Sequence, residues 1–206
     1  MKLSLSTRVA ENFRDKREAT VELADLAEIA AREGYYALCM RASQVGVDDS
    51  REQLRAARAT VESCDLRVSM VTGDFAIPEN SAEGPGALRN IDAFLDLADD
   101  LDCDLLRVCM KTADDIRWAR DAADAAQERG LRLAHQCHTQ SLFETVEETL
   151  EVLRSVGRAN FGLIYEPANL ELCGQPYVGE TVEALFPWIF NVYLQNQRIH
   201  DNGKDH

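Results

Sequence analysis

Short apolar, β-prone runs recur along the chain and alternate with stretches whose apolar residues repeat every three or four positions. The short runs are Lys2 to Ser6, Tyr36 to Met40, Leu66 to Val71, Leu105 to Met110, Leu131 to Cys137, Phe161 to Tyr165 and Ile189 to Leu194. Each predicts a strand, and their starts lie about 30 residues apart, the size of one strand-helix unit. Between them, Val21 to Glu33 places Leu23, Leu26, Ala27 and Ala30 on one helical face and stops at Gly34, suited to a left-handed helix end. Leu88 to Leu101 repeats the pattern with Leu88, Ile91, Leu95 and Ala98. Thr112, with Asp115 three residues on, opens a helix running to Gly130. Ser141-Leu142-Phe143-Glu144 has the form of a capping box for a helix ending near Gly157.

Strand and helix in strict alternation predict an α/β fold with a parallel sheet covered by helices. An open doubly wound sheet would carry a Gly-rich phosphate turn after its first strand, and neither GxGxxG nor GxxxxGK[ST] occurs. Polar residues instead cluster at the C-terminal ends of many strands, where (β/α)8 TIM barrels build their sites. No linker or low-complexity segment divides the chain, so residues 1–206 read as a single domain. A barrel needs eight strands and typically ~250 residues, and seven strands are counted here. The expectation is therefore a C-terminally incomplete barrel whose last strand-helix segment is missing.

Charge narrows the function. The 206 residues carry 36 acidic against 22 basic side chains, a net charge of −14. That balance speaks against nucleic acid and against an anionic membrane surface as partners. No apolar run reaches the ~20 residues that span a bilayer, and the first residues are too polar for a signal peptide. The six cysteines lack CxxC spacing and read as reduced, mostly buried thiols, which fits a cytoplasmic location.

Side chains two apart on a strand share a face. The fifth run thus presents Gln136 and His138 together, while His135 has the opposite parity and faces the helices. The sixth ends in Glu166-Pro167-Ala168-Asn169, and the seventh leads into Gln195 and Asn196. Arg41 and Lys111 follow the second and fourth runs, and either would suit a phosphate or carboxylate. Each side chain also has a plain structural reading: a solvated charge for Arg41 and Lys111, a backbone partner for His138, mutual hydrogen bonding for the amides. The turn-rich segment from Gly73 to Gly86 reads as a surface loop or as a lid over the strand ends.

These motifs resemble the sugar phosphate isomerase/epimerase family, the xylose-isomerase-like TIM barrels that include ketose 3-epimerases, inosose dehydratases and endonuclease IV. Leu133-Ala134-His135-Gln136-Cys137-His138 stands where the family reads L-A-x-E-N-H. Asn160 to Asn169 stands where it reads N-x-G-x-x-x-D-P-x-H/N, and Asn191 to Asn196 where it reads h-v-H-l-K-D. The resemblance implies a divalent metal ion (Mn, Mg, Co or Zn) at the barrel mouth and two glutamates that move protons on either side of an enediolate. Carried over, Glu166 and His138 are the catalytic candidates, and Glu166, Gln136 and His138 the metal candidates. Arg41, Lys111, Gln136, Asn169, Gln195 and Asn196 would bind a small-molecule carbohydrate. The chain departs from the pattern at Gln136, an amide in place of the fifth-strand glutamate, and at Tyr193 and Gln195, in place of a histidine and a lysine. The implied activity is metal-assisted isomerisation or epimerisation of a ketose-type sugar or sugar phosphate. The alternative is a catalytically impaired carbohydrate-binding pseudoenzyme of the same fold. A homo-oligomer is compatible with either.

Overall fold

The computed structural model describes residues 2–12, 14–72 and 83–195. Seven parallel strands form one sheet in chain order: β1 Ser4–Ser6, β2 Ala37–Met40, β3 Arg67–Thr72, β4 Leu105–Val108, β5 Arg132–Gln136, β6 Phe161–Tyr165 and β7 Ile189–Val192. Each pairs with the strand before it, as right-handed strand-helix units laid side by side require. The sheet curls into an incomplete TIM barrel, and among the described residues β1 and β7 are its two edges. All seven predicted strands are present, with ends within two residues of the expected ones.

The connecting helices are α1 Leu23–Arg32, α2 Arg51–Glu62, α3 Gly86–Arg89, α4 Ile91–Asp100, α5 Asp115–Glu128, α6 Val146–Val156, α7 Pro167–Leu172 and α8 Glu180–Leu185. Strand alternation sorts the core into two layers, with the register shift opposite Leu38 and Cys39 reversing the phase on β3 between Val68 and Met70. Leu38, Met40, Val68, Leu106, Val108, Leu133 and Leu163 pack outward against the helices. Cys39, Met70, Leu105, Ala134 and Ile164 point inward and meet Phe190 and Tyr193. No helix among the described residues is long and apolar enough to cross a membrane.

Three helix boundaries differ from the sequence expectation. The Leu88 to Leu101 stretch is broken at Asn90 (φ −131°, ψ 47°), which leaves helical geometry and separates α3 from α4. Before α5, Asp115 does the capping that Thr112 was expected to do: its Oδ2 accepts from the backbone N–H groups of Lys111 (2.8 Å) and Thr112 (2.9 Å). Ser141 does not open α6. Its hydroxyl donates to the His138 carbonyl (2.7 Å) and accepts from Phe143 N–H (3.0 Å), holding a turn that buries the Phe143 ring. The cap lies four residues on, where Thr145 accepts from Glu148 N–H (3.1 Å) and donates to its carboxylate (2.7 Å). Thr145→Ala is therefore expected to lower stability by about 1 kcal/mol in urea denaturation. An unchanged midpoint would show that the Thr145 cap contributes nothing.

Candidate functional site

The C-terminal ends of β5 and β6 bring together one carboxylate and two amides. Ile164 lies in the inner layer, so strand alternation turns Glu166 the same way. Pro167 restricts the residue before it to extended geometry, and Glu166 keeps φ −133°, ψ 99° as α7 begins. Its side chain is 1% exposed. Gln136, in register with Ile164, donates through Nε2 to Glu166 Oε2. Asn169, one turn into α7, donates to the same oxygen (2.7 Å) and to the Cys137 carbonyl (2.8 Å). Both amides use Oε2, which leaves Oε1 as the oxygen placed to receive a proton. Burial pushes the Glu166 carboxyl above its ordinary range, and the two amides together with Arg107 and Arg8 pull it back in part. Gln136 Oε1 is buried without a hydrogen-bond partner among the described residues, an acceptor set toward any hydroxyl that enters.

A second carboxylate faces the strand ends from another direction. Glu11, just after β1, accepts from Arg41 Nε and from the Ser43 hydroxyl (3.3 Å). Both members of this ion pair are nearly buried, at 10% for Arg41 and 5% for Glu11. Across the interior, Tyr193 OH and Cys39 Sγ are 3.0 Å apart. Burial drives both the phenol and the thiol to stay protonated. Arg107 follows Leu105 on the inner face of β4, and its charge is felt by Cys39, His135, Glu166 and Tyr193.

The other expected site residues are placed as follows. His138 Nδ1 sits 2.9 Å from the Thr139 carbonyl, on the loop after β5. Lys111 donates through Nζ to the Gln140 carbonyl (2.8 Å), clasping that same loop, and burial lowers its pKa. Gln195 is exposed, while Asn196 and the 73–82 part of the expected lid lie outside the described residues. Glu11 and Arg8 were not singled out from the sequence. Glu11 and Arg8 follow β1 in a 3-10 turn and the loop beyond it, without strand periodicity to mark their direction. Arg107 was legible by parity, two residues after Leu105.

His135 packs behind the site, as its parity predicts. Its ring stacks on Phe143 with centroids 4.0 Å apart, and Nδ1 lies 2.5 Å from the Gln136 carbonyl. Burial brings its pKa down to about 3. Protons then bind the unfolded chain more readily than the folded one, so stability held above the ordinary imidazole range is lost as the pH falls toward 3. In His135→Gln the stability lost between pH 7 and pH 5 should shrink, as read by urea denaturation at each pH. An unaltered pH slope would place the acid sensitivity elsewhere.

The described donors do not fit a divalent cation. No three His, Cys, Asp or Glu side chains among them gather as ligands. Two amide N–H groups already point at Glu166, where they would oppose an approaching cation.

No protein-family model matches the sequence, and no curated protein is similar enough in sequence to count as a relative. Solved structures do match in three dimensions. The probable 3-DHS dehydratase of petrobactin synthesis from Bacillus anthracis superposes with a TM-score of 0.77 at 16% identity, over 96% of this chain and 74% of that one. D-psicose 3-epimerase, solved in the presence of D-fructose, gives 0.75 at 14% identity, over 99% and 77%. A xylose isomerase-like TIM barrel protein from Mycobacterium smegmatis, in complex with magnesium, gives 0.73 at 12% identity, over 99% and 78%. The chain has the fold of the xylose isomerase-like TIM barrels, the fold that the sugar phosphate isomerase/epimerase motifs led us to expect.

Proposed function

We propose that residues 1–206 act as one domain that binds a small ketose-type sugar and moves a proton at the carbon beside its carbonyl. The observation that carries this reading is Glu166: a carboxylate 1% exposed, at the C-terminal end of a barrel strand, oriented by two amides through one oxygen only. A carboxyl whose affinity for protons is raised by burial is suited to take a weakly acidic C–H proton and give it back. In the step envisaged, Glu166 Oε1 removes the proton. The C–H electron pair becomes the enediolate double bond, and the carbonyl oxygen takes the negative charge. Arg107 lies in position to offset that charge electrostatically. The same oxygen then returns the proton to the former carbonyl carbon on the same face. The hydroxyl proton on the first carbon passes to the adjacent oxyanion and leaves the new carbonyl behind, so one carboxylate suffices for the carbon-to-carbon transfer. Gln136 Oε1 would accept from a sugar hydroxyl. No step is routed through a metal ion, because the described donors do not fit one. Neighbours of this fold described with D-fructose or D-tagatose support the substrate class.

A second reading has its own observation. Gln136 is an amide that cannot act as a base near neutral pH, and it ties up the carboxylate beside it. In that reading the chain binds sugars without turning them over. Incubating the chain with a panel of ketoses in tritiated water separates the two. Tritium entering a carbon-bound position supports proton transfer. Sugar binding without exchange leaves the binding reading alone.

A further inference from the structure

A hollow of about 800 Å³ lies at the opposite end of the sheet from Glu166. Its walls come from the N-terminal ends of the strands, with Lys2 before β1, Tyr36 and Ala37 at β2, and Arg67 at β3. That volume suits a ligand of nucleotide size. Four cations and four carboxylates line it, but they do not pair off evenly. Arg58 is held by Glu62 (2.7 Å) and Asp102 (3.1 Å), and Arg132 by Asp104 (2.9 Å). Lys2 and Arg67 have no carboxylate partner among the described residues. They lean instead on one aromatic ring, with Lys2 Nζ 4.2 Å and Arg67 Cζ 6.0 Å from the Tyr36 centroid. A ring face attracts a cation but carries no net charge, so both positive charges stay uncompensated. The Lys2 hydrogen bond, helped by the Arg67 charge, pulls the Tyr36 phenol below its ordinary pKa. On a chain of net charge −14, two such cations on one wall mark a place that an anion would fill. The fourth carboxylate, Asp65, sits in the left-handed turn before β3 and makes no ion pair among the described residues. It can accept from hydroxyl groups, and it repels any further negative charge.

We propose that this hollow binds a phosphate monoester of a hydroxyl-bearing body, with the phosphate on Lys2 and Arg67 and a hydroxyl toward Asp65. A phosphate monoester carries close to two negative charges at neutral pH, which matches the two open cations. The guanidinium fork of Arg67 suits paired phosphate oxygens, and the Lys2 ammonium serves as a point charge beside it. Sugar phosphates and nucleoside monophosphates share this chemistry. The site is separate from the strand-end cluster around Glu166 and stands whether or not that cluster moves protons on a sugar.

The test is a calorimetric titration of the full chain with AMP, ribose 5-phosphate, adenosine and inorganic phosphate. At least one monoester should bind about tenfold or more tighter than adenosine, and the advantage should shrink with added salt. Tighter binding of AMP assigns a nucleotide, and equal or tighter binding of ribose 5-phosphate assigns a sugar phosphate. Lys2→Gln and Arg67→Gln change exposed side chains, so Tm should hold while each weakens the monoester about tenfold. Asp65→Asn, whose amide tolerates the left-handed backbone, should narrow the gap between the monoester and inorganic phosphate. Adenosine binding as tightly as the monoesters overturns the inference. So does a monoester affinity unmoved by both Lys2→Gln and Arg67→Gln, which would put the phosphate elsewhere on the chain. A gap that Asp65→Asn leaves unchanged overturns it too, since the hydroxyl-bearing body would then lie away from Asp65.

Discussion

Glu166→Gln is expected to cut proton exchange on the sugar by about a thousandfold, the scale of losing a positioned general base. The amide keeps the shape and can still accept from Gln136 and Asn169, so folding should survive. Retained folding separates a chemical loss from a structural one. The variant should also alter how stability depends on pH. The folded carboxyl holds its proton more tightly than the ordinary value of 4.5 because it is buried. Below that pH both states are protonated, and the wild type keeps the full benefit of a neutral buried group. As the pH rises, the unfolded chain releases its proton first, so stability drains away until the folded group ionises too. Glu166→Gln has no such proton. It should therefore gain on the wild type between pH 4 and pH 7 in parallel melts. Exchange that persists in Glu166→Gln would remove the proton-transfer assignment, and equal pH slopes would mean the carboxyl is not held in a desolvated place.

The second large effect is expected at Gly162 on β6. A Cβ there would lie 2.5 Å from the Trp188 carbonyl oxygen and 2.6 Å and 2.7 Å from Phe190 ring carbons. The carbonyl is backbone and the ring belongs to the inner layer, so neither can swing aside cheaply. Gly162→Ala should cost about 3 kcal/mol by overpacking, a fall of roughly 6 to 12 °C in Tm for a chain of this size. Gly86→Ala is the control, since nothing lies within 4 Å of the added atom. A Gly162→Ala melt matching that of the control would show that β7 can shift away from β6.

Strand order was readable because each strand-helix unit repeats at near-constant spacing, and parity alone turned Gln136 inward and His135 toward the helices. Glu166 stood out at the end of the sixth run, before Pro167, and the structure adds the extended geometry that the proline imposes on it. What parity cannot deliver is pairing between loops. Arg41 and Lys111 stood out as cations for a ligand, but Glu11 reaches Arg41 from a turn with no periodicity, and Lys111 is spent on the Gln140 carbonyl. Two serine or threonine caps in tandem, Ser141 and Thr145, fit one pattern. The choice between them was made by Phe143, whose ring goes under the turn to stack on His135. The resemblance led us to expect a metal at this mouth. Gln136 and Tyr193 stand where it called for ionisable ligands, and that departure was visible in the sequence.

The Tyr193–Cys39 contact bears on how the chain folds. Every ladder joins a strand to its predecessor, so the sheet can grow in the order of synthesis from contacts of short range. This hydrogen bond joins residues 154 positions apart, the widest separation of any side-chain hydrogen bond among the described residues. Closing so long a loop gives up the most chain entropy for one contact, so it belongs late in assembly, when the intervening strands have already shortened the gap. The environment of Tyr193 is thus a clock for completion: its fluorescence should settle after backbone circular dichroism has reached its final value.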